Sequence, residues 1–262
     1  MKPELSRKLI LGFALGAALF FVVAVFVHPL LALGVLFLSH MLILFPTLVA
    51  NCQWLGPVVT HFETSQREVW LTIDDGPDPT HTPRFLELLD RFEAKATFFV
   101  IGERAAKFGA ELAAIRAAGH QIANHTATHP STSFWRLSPS RIAAEIDRCG
   151  ISSSLFRAPA GMKNLFVHPA LQRRQMQLVG WTVRGLDTVR NDASAVAARI
   201  MRGVKPGAIL LLHEGHRTET DPDFHPRCLE QTLLALTKAN YRCVLPVAGD
   251  VLPGHPSLRV TN

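Results

Sequence analysis

The chain has 262 residues, of which 48% are hydrophobic and only 18% are charged, and its mean hydropathy is positive at +0.19. A soluble domain of ordinary composition carries roughly 25% charged residues, so part of this chain is not typical of a water-soluble protein. Abundant apolar segments and only four cysteines exclude disordered, collagen-like and disulfide-stapled small proteins. The net charge is +6, but no long basic run and no basic stripe interleaved with aromatic residues occurs, which argues against nucleic acid as a partner.

The apolar excess is concentrated at the amino terminus, where residues 9–62 contain no Asp, Glu, Lys or Arg. Residues 9–27 are an uninterrupted apolar stretch. As a helix it would be about 28 Å long, which matches the roughly 30 Å hydrocarbon core of a bilayer. A second apolar stretch covers 30–50, and Pro29 between the two favours a tight turn. We therefore predict that 1–62 is a membrane anchor formed by a transmembrane helical hairpin.

Two alternatives to this hairpin concern the same residues. A cleaved signal peptide would use the basic residues Lys2, Arg7 and Lys8, but its apolar region should be only about 7 to 15 residues long. The second alternative is a single span. The positive-inside rule makes the basic end cytoplasmic, so two spans return the following domain to the cytoplasmic face, whereas one span exports it. The sequence predicts an integral protein of the cytoplasmic membrane and does not decide the side of the domain.

Residues 63–262 have the composition of one sizeable domain. Short apolar segments alternate there with helical patterns, which is typical of parallel strands covered by helices. About seven strands predict an α/β fold, namely a distorted and incomplete (β/α) barrel. The predicted strands cover 69–73, 96–101, 121–123, 154–156, 178–182, 208–212 and 242–246, and the predicted helices cover 82–93, 104–118, 138–149, 165–175, 193–203 and 226–239.

Acidic, imidazole and guanidinium side chains follow five of these strands, at the carboxyl ends where barrel enzymes hold their active sites. Asp75 follows the first strand, and the spacing of His125 and His129 would bring both imidazoles to one side of a helical turn. Two histidines and one carboxylate leave positions open for water and substrate, as in catalytic divalent metal sites. The adjacent Asp74 would point the other way, so it can act as a base while Asp75 binds a metal. A turn or helix cap is the alternative interpretation of this acidic pair.

These residues resemble the motifs of the polysaccharide deacetylase family, the NodB-homology domain of carbohydrate esterase family four. The resemblance covers about Glu68 to Val247. Its motifs occur in the expected order at 72–77, 125–129, 157–161 and 209–213, and a fourth motif in the family's order is altered here at 181–188.

The resemblance implies that Asp74 is the general base and that Arg157 pairs with it. Asp75, His125 and His129 would hold one divalent metal ion, for which we expect zinc, with cobalt, nickel or another divalent ion as alternatives.

Further roles follow from the same resemblance. His213 would be the general acid, and Asp187 would orient or tune it. A backbone N–H near Ala160 would help to bind the oxyanion. Trp181 fits either barrel packing or a platform for a sugar.

The altered motif departs from the family's pattern at two positions. The family commonly has two aspartates three residues apart and then a tryptophan, whereas this chain has Arg184 in place of the first aspartate and Thr188 in place of the tryptophan. A small residue, Ala160, also stands where an aromatic one is common. These differences concern the substrate more than the reaction.

We therefore expect a metal-dependent hydrolase that removes an N-acyl group, in the simplest case N-acetyl, from an amino sugar. The membrane anchor favours a lipid-linked amino sugar as substrate and membrane lipid as a neighbour, and a cell-envelope polysaccharide is the alternative. A deformylase acting on a lipid-linked formamido sugar would use the same chemistry. A non-catalytic, membrane-tethered sugar-binding protein on the same fold would have lost a metal ligand, the base or the acid, and this chain retains them all.

Overall fold

A computed structural model describes residues 3–246, with side chains from residue 7 onward. Residues 1–2 and 247–262, which include Lys2 and the end of the predicted domain, lie outside the described part. The chain begins with two helices, α1 (Pro3–Ala24) and α2 (Pro29–Leu48), which pack against each other as the predicted hairpin. Both are long and apolar enough to cross a membrane, and few of their residues are buried. Their length and composition fit a membrane anchor, and they would fit a signal sequence as well.

The remainder is an α/β domain built on a curled parallel sheet, which confirms the predicted incomplete barrel. The strands are β1 (Glu68–Asp74), β2 (Ala96–Val100), β3 (Gln121–Asn124), β4 (Leu155–Phe156), β5 (Gln177–Leu178), β6 (Val183–Arg184), β7 (Ala208–His213) and β8 (Arg242–Cys243). Seven of them follow the order β5-β4-β3-β2-β1-β7-β6, and β8 pairs with β1.

Helices cover the outside of this sheet, and most lie where the sequence predicts them. The predicted helix at 104–118 is broken at Phe108, whose φ and ψ of −116° and 55° are not helical. The helices are α3 (Thr82–Arg91), α4 (Gly102–Lys107), α5 (Gly109–Ala117), α6 (Pro139–Asp147), α7 (Val167–Gln172), α8 (Ala193–Gly203) and α9 (Phe224–Lys238), with short 3-10 turns at Phe134–Arg136 and Pro159–Gly161.

The strand predicted at 178–182 is wrong except at Leu178, where β5 ends. The next strand, β6, begins only at Val183 and lies at the opposite edge of the sheet, so residues 179–182 cross from one edge to the other. The barrel is therefore almost closed between its two edge strands, β5 and β6.

Residues 58–62 complete the closure. The Val59 N–H donates to the Leu178 carbonyl of the edge strand β5 at 2.9 Å, and the Phe62 N–H donates to the carbonyl of Gly207, just before β7, at 3.0 Å. A Cβ at Gly207, where φ is 77°, would lie 2.0 Å from the Phe62 carbonyl oxygen, so the close approach requires glycine. Val59 and Phe62 are buried. This segment packs with the domain, although it precedes the predicted boundary at 62/63, and that boundary stays a prediction.

The alternation of β1 decides which side chains enter the barrel. Successive side chains of a strand point to opposite faces. Val69, Leu71 and Ile73 accordingly join the apolar cluster under the outer helices. Trp70 packs inside the barrel, and Asp74, on the same face, points into the barrel at its carboxyl end.

Candidate active site

Asp74 and Asp75 are neighbours in sequence, and the backbone sends their carboxylates in different directions. Asp74 is the last residue of β1, whereas Asp75 has a left-handed φ of 74° and its N–H donates to the Phe99 carbonyl. Both side chains are almost completely buried. The separation expected from the sequence is therefore present, because β1 ends abruptly between the two residues.

Asp75, His125 and His129 bring three potential metal-ligand atoms together. The Asp75 Oδ1 lies 3.3 Å from His125 Nε2 and 3.2 Å from His129 Nε2, and all three atoms lie within 4.8 Å of one another. Oδ1 is buried and has no hydrogen-bond donor. His125 Nδ1 lies 2.9 Å from the Arg157 carbonyl, which can only accept, so Nδ1 carries a hydrogen and Nε2 is the nitrogen left to bind a cation. One carboxylate and two imidazoles fit a divalent cation such as zinc.

The two histidines lie on an irregular loop, and the predicted helical turn is wrong. Thr126 and His129 have left-handed φ values of 70° and 53°. The loop is held by side chains, since Asn124 Oδ1 accepts from the Thr126 N–H and the Thr126 hydroxyl accepts from the His129 N–H. These bends, and not helical periodicity, bring the imidazole centroids of His125 and His129 to 4.8 Å.

Protonation of the histidines opposes cation binding. Burial, and then the charge of His125, lower the pKa of His129 to about 4, so it is neutral near pH 7. Burial would also lower the pKa of His125, but the carboxylates of Asp74 and Asp75 raise it. A cation must therefore compete with a proton for His125 Nε2, as is usual for imidazole ligands.

Arg157 is completely buried inside the barrel, and all of its nitrogens donate hydrogen bonds. NH1 donates to Asp74 Oδ1 at 2.6 Å and to the Thr72 hydroxyl at 2.8 Å. NH2 and Nε donate to the carbonyls of 179–180, and the guanidinium carbon lies 4.1 Å from the centroid of the Phe99 ring. Arg157 thus fixes the Asp74 carboxylate.

His213 ends β7, and Asp187 holds it at two points. Its Nδ1 lies 2.8 Å from Asp187 Oδ1, and its backbone N–H donates to Asp187 Oδ2 at 2.7 Å. Burial would lower the pKa of His213, but the charge and hydrogen bond of Asp187 raise it to about 9. Burial would raise the pKa of Asp187, but His213 and His225 lower it. His213 is therefore an imidazolium at neutral pH with Nε2 available as a donor.

His216 is a residue of the site that the sequence left unassigned. Its Nε2 lies 2.6 Å from Asp75 Oδ2, opposite the oxygen that faces the two candidate ligands, and its side chain is 40% exposed. It thereby fixes the rotation of the Asp75 carboxylate. The only signal in the sequence is its place three residues after His213, on the loop that leaves the same strand.

Glu214, also unassigned from the sequence, lies behind the site. It is completely buried and its Oε2 accepts from the Thr82 hydroxyl at 2.6 Å. Burial raises the pKa of Glu214 to about 8, so this carboxyl is neutral at pH 7. It joins α3 to the loop after β7.

Asp74, His213 and the candidate metal-ligand cluster lie around a cleft of about 220 Å³. A larger groove of about 550 Å³ lies between α6 and α7, but the one acidic residue that lines it, Asp147, is paired with Arg174. Arg157 and Asp187 lie behind the cleft wall. The other predicted site residues line the cleft, namely Asp74, Asp75, His125, His129, Ala160, Trp181 and His213.

Arg184 and Thr188, the departures in the altered motif, lie at the rim of the cleft. The Arg184 guanidinium carbon is 5.9 Å from the centroid of the Trp181 ring. Its side chain is exposed and makes no ion pair with any residue in the described range. The rim therefore presents a cation that is free to meet a ligand.

Known proteins are similar to this chain over most of the domain. The family model described as polysaccharide deacetylase matches residues 61–179. The chain is 35% identical over 159 residues to a chitooligosaccharide deacetylase of Bradyrhizobium sp., covering 57% of this chain and 72% of that protein. It is 34% identical over 186 residues to a chitooligosaccharide deacetylase of Sinorhizobium fredii, covering 67% and 85%. The crystal structure of a peptidoglycan N-acetylglucosamine deacetylase matches with a TM-score of 0.63 at 27% identity, covering 71% of this chain and 88% of that chain.

Replacement of Asp187 by asparagine is expected to lower the pKa of His213 clearly below about 9. The carboxylate that stabilises the imidazolium is lost while burial, which disfavours the charged form, remains. An NMR titration of histidine-labelled protein measures this shift. Asp90→Asn, which removes an exposed carboxylate on α3, should leave the titration of His213 unchanged. A His213 pKa still near 9 in Asp187→Asn would contradict the assignment.

Proposed function

The chain belongs to the polysaccharide deacetylase family, and from that premise we propose that it hydrolyses the N-acetyl group of an amino sugar, releasing acetate and the free amine. One observation carries the proposal. Asp74 and His213 are register partners at the ends of the adjacent parallel strands β1 and β7, beside the Asp75, His125 and His129 cluster. A base and an acid therefore stand side by side at the edge of one cleft, as hydrolysis of an amide requires.

Asp75, His125 and His129 would hold one divalent ion, for which we propose zinc. When bound, such an ion supplies a Lewis acid for the amide carbonyl and for the attacking water. His216 and the Arg157 carbonyl orient two of these ligands from behind. Second partners of this kind commonly strengthen metal binding.

Asp74 is the proposed general base. Arg157 occupies its Oδ1, so Oδ2 is the atom that faces the cluster, 3.7 Å from His125 Nε2. A proton removed from water would pass to this oxygen. The guanidinium beside it balances the negative charge of the carboxylate before that transfer.

His213 is the proposed general acid, since it is protonated at neutral pH and its Nδ1 is held by Asp187. It would donate from Nε2 to the nitrogen of the leaving amine. On the other side of the cleft, we assign the backbone of Ala160 to binding of the oxyanion. Trp181 would supply a flat wall for the sugar ring.

The two neighbouring aspartates form a matched pair for testing this function. Asp74→Asn should retain the metal and lose at least about 100-fold in kcat, the usual minimum contribution of a general base. Asp75→Asn should lose the metal itself. Acetate release from N-acetylglucosamine oligosaccharides and metal analysis of the purified full chain measure both effects. Near-normal turnover by Asp74→Asn would refute the assignment of Asp74 as the base. A wild-type chain that is inactive on every N-acetylated sugar would refute the proposed deacetylase activity.

For the substrate, we propose an amino sugar joined to a membrane lipid through phosphate. The apolar hairpin supports a membrane location, and the cleft lies close to it. Trp181 at the cleft bonds to Asn51, three residues after the end of α2. Arg184 at the rim supplies a free guanidinium, which is well suited to bind phosphate. The relatives named above act, by their names, on chitooligosaccharides and peptidoglycan, and this proposal differs from theirs in the lipid phosphate.

The Arg184 guanidinium is expected to recognise the phosphate. Arg184→Gln should raise the KM for N-acetylglucosamine 1-phosphate about tenfold at low ionic strength, as the loss of one charge-assisted hydrogen bond predicts. The KM for uncharged N-acetylglucosamine oligosaccharides should not change. Arg116→Gln, which removes an exposed charge on α5, is the control for net charge. Equal effects on both substrates would rule out phosphate recognition.

We further propose that both helices span the cytoplasmic membrane and that the domain is on the cytoplasmic side. The start of α1 and the end of α2 lie at the same end of the hairpin, beside the domain. Arg7, near the start of α1, lies close enough to the domain for its charge to act on His168 of α7. Burial, then the charges of Lys163 and Arg7, lower the pKa of His168 to about 3. The basic residues at this end are expected to be cytoplasmic.

A reporter fused after Asn262 tests this topology. We expect a reporter that is active only in the cytoplasm to be active and one that is active only in the periplasm to be silent. The opposite result would place the cleft outside the cytoplasmic membrane and would exclude a cytoplasmic lipid-linked substrate.

A further inference from the structure

Lys163 is a fully buried lysine that is directed at the end of α2. Its Nζ donates to the carbonyls of Val49 and Ala50, both at 2.8 Å, and its backbone N–H donates to the Thr47 carbonyl at 3.1 Å. Thr47 lies in the last turn of α2, whose carbonyls lack partners within the helix, whereas Val49 and Ala50 follow the helix directly. Burial lowers the pKa of Lys163 to about 8. It makes no ion pair among residues 7–246, so the carbonyls of Val49 and Ala50 are what stabilise its ammonium group.

Asn51 makes a second connection between the same segment and the cleft. Its Nδ2 donates to the Trp181 carbonyl at 2.7 Å, and its Oδ1 accepts from the Trp181 N–H at 3.4 Å. The side chain therefore pairs with the backbone of Trp181 as a neighbouring strand would. Trp181 lies on the crossing that closes the barrel.

Between the two connections, the end of α2 touches the cleft wall directly. A Cβ placed on Gly161 would lie 2.4 Å from the Ala50 Cβ and 2.6 Å from the Trp181 ring. Gly161 follows Ala160, whose φ is 52°, in the loop that also carries Arg157 and Lys163. Two parts of the cleft wall, the loop at Gly161 and Trp181, therefore rest on residues 49–51.

We propose that Lys163 and Asn51 are positioning residues, which clamp the catalytic loop 157–163 and Trp181 to the end of the amino-terminal hairpin. The hairpin is then part of the active-site framework and not only a tether. A displacement of about 1 Å at reacting groups can cost about 100-fold in rate. Loosening the clamp would thus reduce turnover while the proposed metal ligands, which lie directly after β1 and on the loop after β3, stay in place.

Two variants of the full chain in detergent or nanodiscs test the clamp. Lys163→Met keeps the length of the side chain and removes both Nζ hydrogen bonds, and Asn51→Ala removes both bonds to Trp181. Each is expected to lower kcat on N-acetylglucosamine oligosaccharides about ten- to hundredfold, with metal content retained and KM within about twofold. Lys95→Met is the matched control, because Lys95 Nζ donates to the Ala118 carbonyl at 2.8 Å at the opposite end of the sheet.

A second readout does not depend on the proposed deacetylase activity. Cys52 is half-buried and adjoins the clamped segment, whereas Cys149, Cys228 and Cys243 are buried. Alkylation of the native chain by a water-soluble maleimide therefore reports on Cys52. We expect both clamp variants to react about tenfold faster than wild type, since local opening sets this rate, and Lys95→Met to react at the wild-type rate.

The two readouts separate the clamp from the enzymatic proposal, on which the kcat measurement rests. An inactive wild-type chain whose Cys52 reacts faster in both variants would refute the deacetylase and retain the clamp. A wild-type kcat in both variants would overturn the positioning role, even if thermal stability falls. Unchanged labelling of Cys52 would also overturn it. Asn51→Ala decides the outcome if Lys163→Met does not fold.

Discussion

The buried ion pair between Arg157 and Asp74 is the interaction on which the rest of the domain depends. Removing a guanidinium from water costs several kcal/mol unless its donors are satisfied. Here the acceptors are Asp74 and Thr72 on β1 and the carbonyls of 179–180, which lie on the crossing between the sheet edges. The pair is therefore stable only when the barrel is nearly closed. Because the Arg157 carbonyl also accepts from His125 Nδ1, the same residue orients a candidate metal ligand and the proposed base.

The pair also explains how two adjacent carboxylates can share one small site. Two neighbouring carboxylates repel each other unless positive groups face them. Arg157 balances Asp74 from inside the barrel, and the imidazoles face Asp75 from the rim. The left-handed φ at Asp75 makes this division possible, since it turns one carboxylate out of the strand direction. His213, in register with Asp74 on the next strand, then completes a base and an acid on neighbouring strands.

The sequence predicted those parts of the site that follow from strand periodicity and strand ends. Asp74, Arg157 and His213 lie at the ends of buried strands, and the structure places them where that pattern expects. Periodicity could not find the rest. His216 lies on a loop without a repeating pattern, and the bend between His125 and His129 depends on a left-handed threonine that residue type does not indicate. The crossing at 179–182 was hidden because a run of apolar residues has the same composition in one strand as in two.

Composition also hides the boundary between the amino-terminal helices and the segment that closes the barrel. Residues 9–62 contain no Asp, Glu, Lys or Arg, but the helical hairpin ends with α2 at Leu48. Val59 and Phe62, later in the same stretch, are buried where residues 58–62 close the barrel. A lipid-facing helix and a segment that closes a barrel both require apolar residues, so composition alone cannot separate them. The segment between them is bonded to the cleft wall at several points and is not a flexible linker, which would need unattached polar or glycine-rich chain. If the helices span a bilayer as proposed, those contacts set how far the cleft stands from the membrane surface, and hence which amino sugars can reach it.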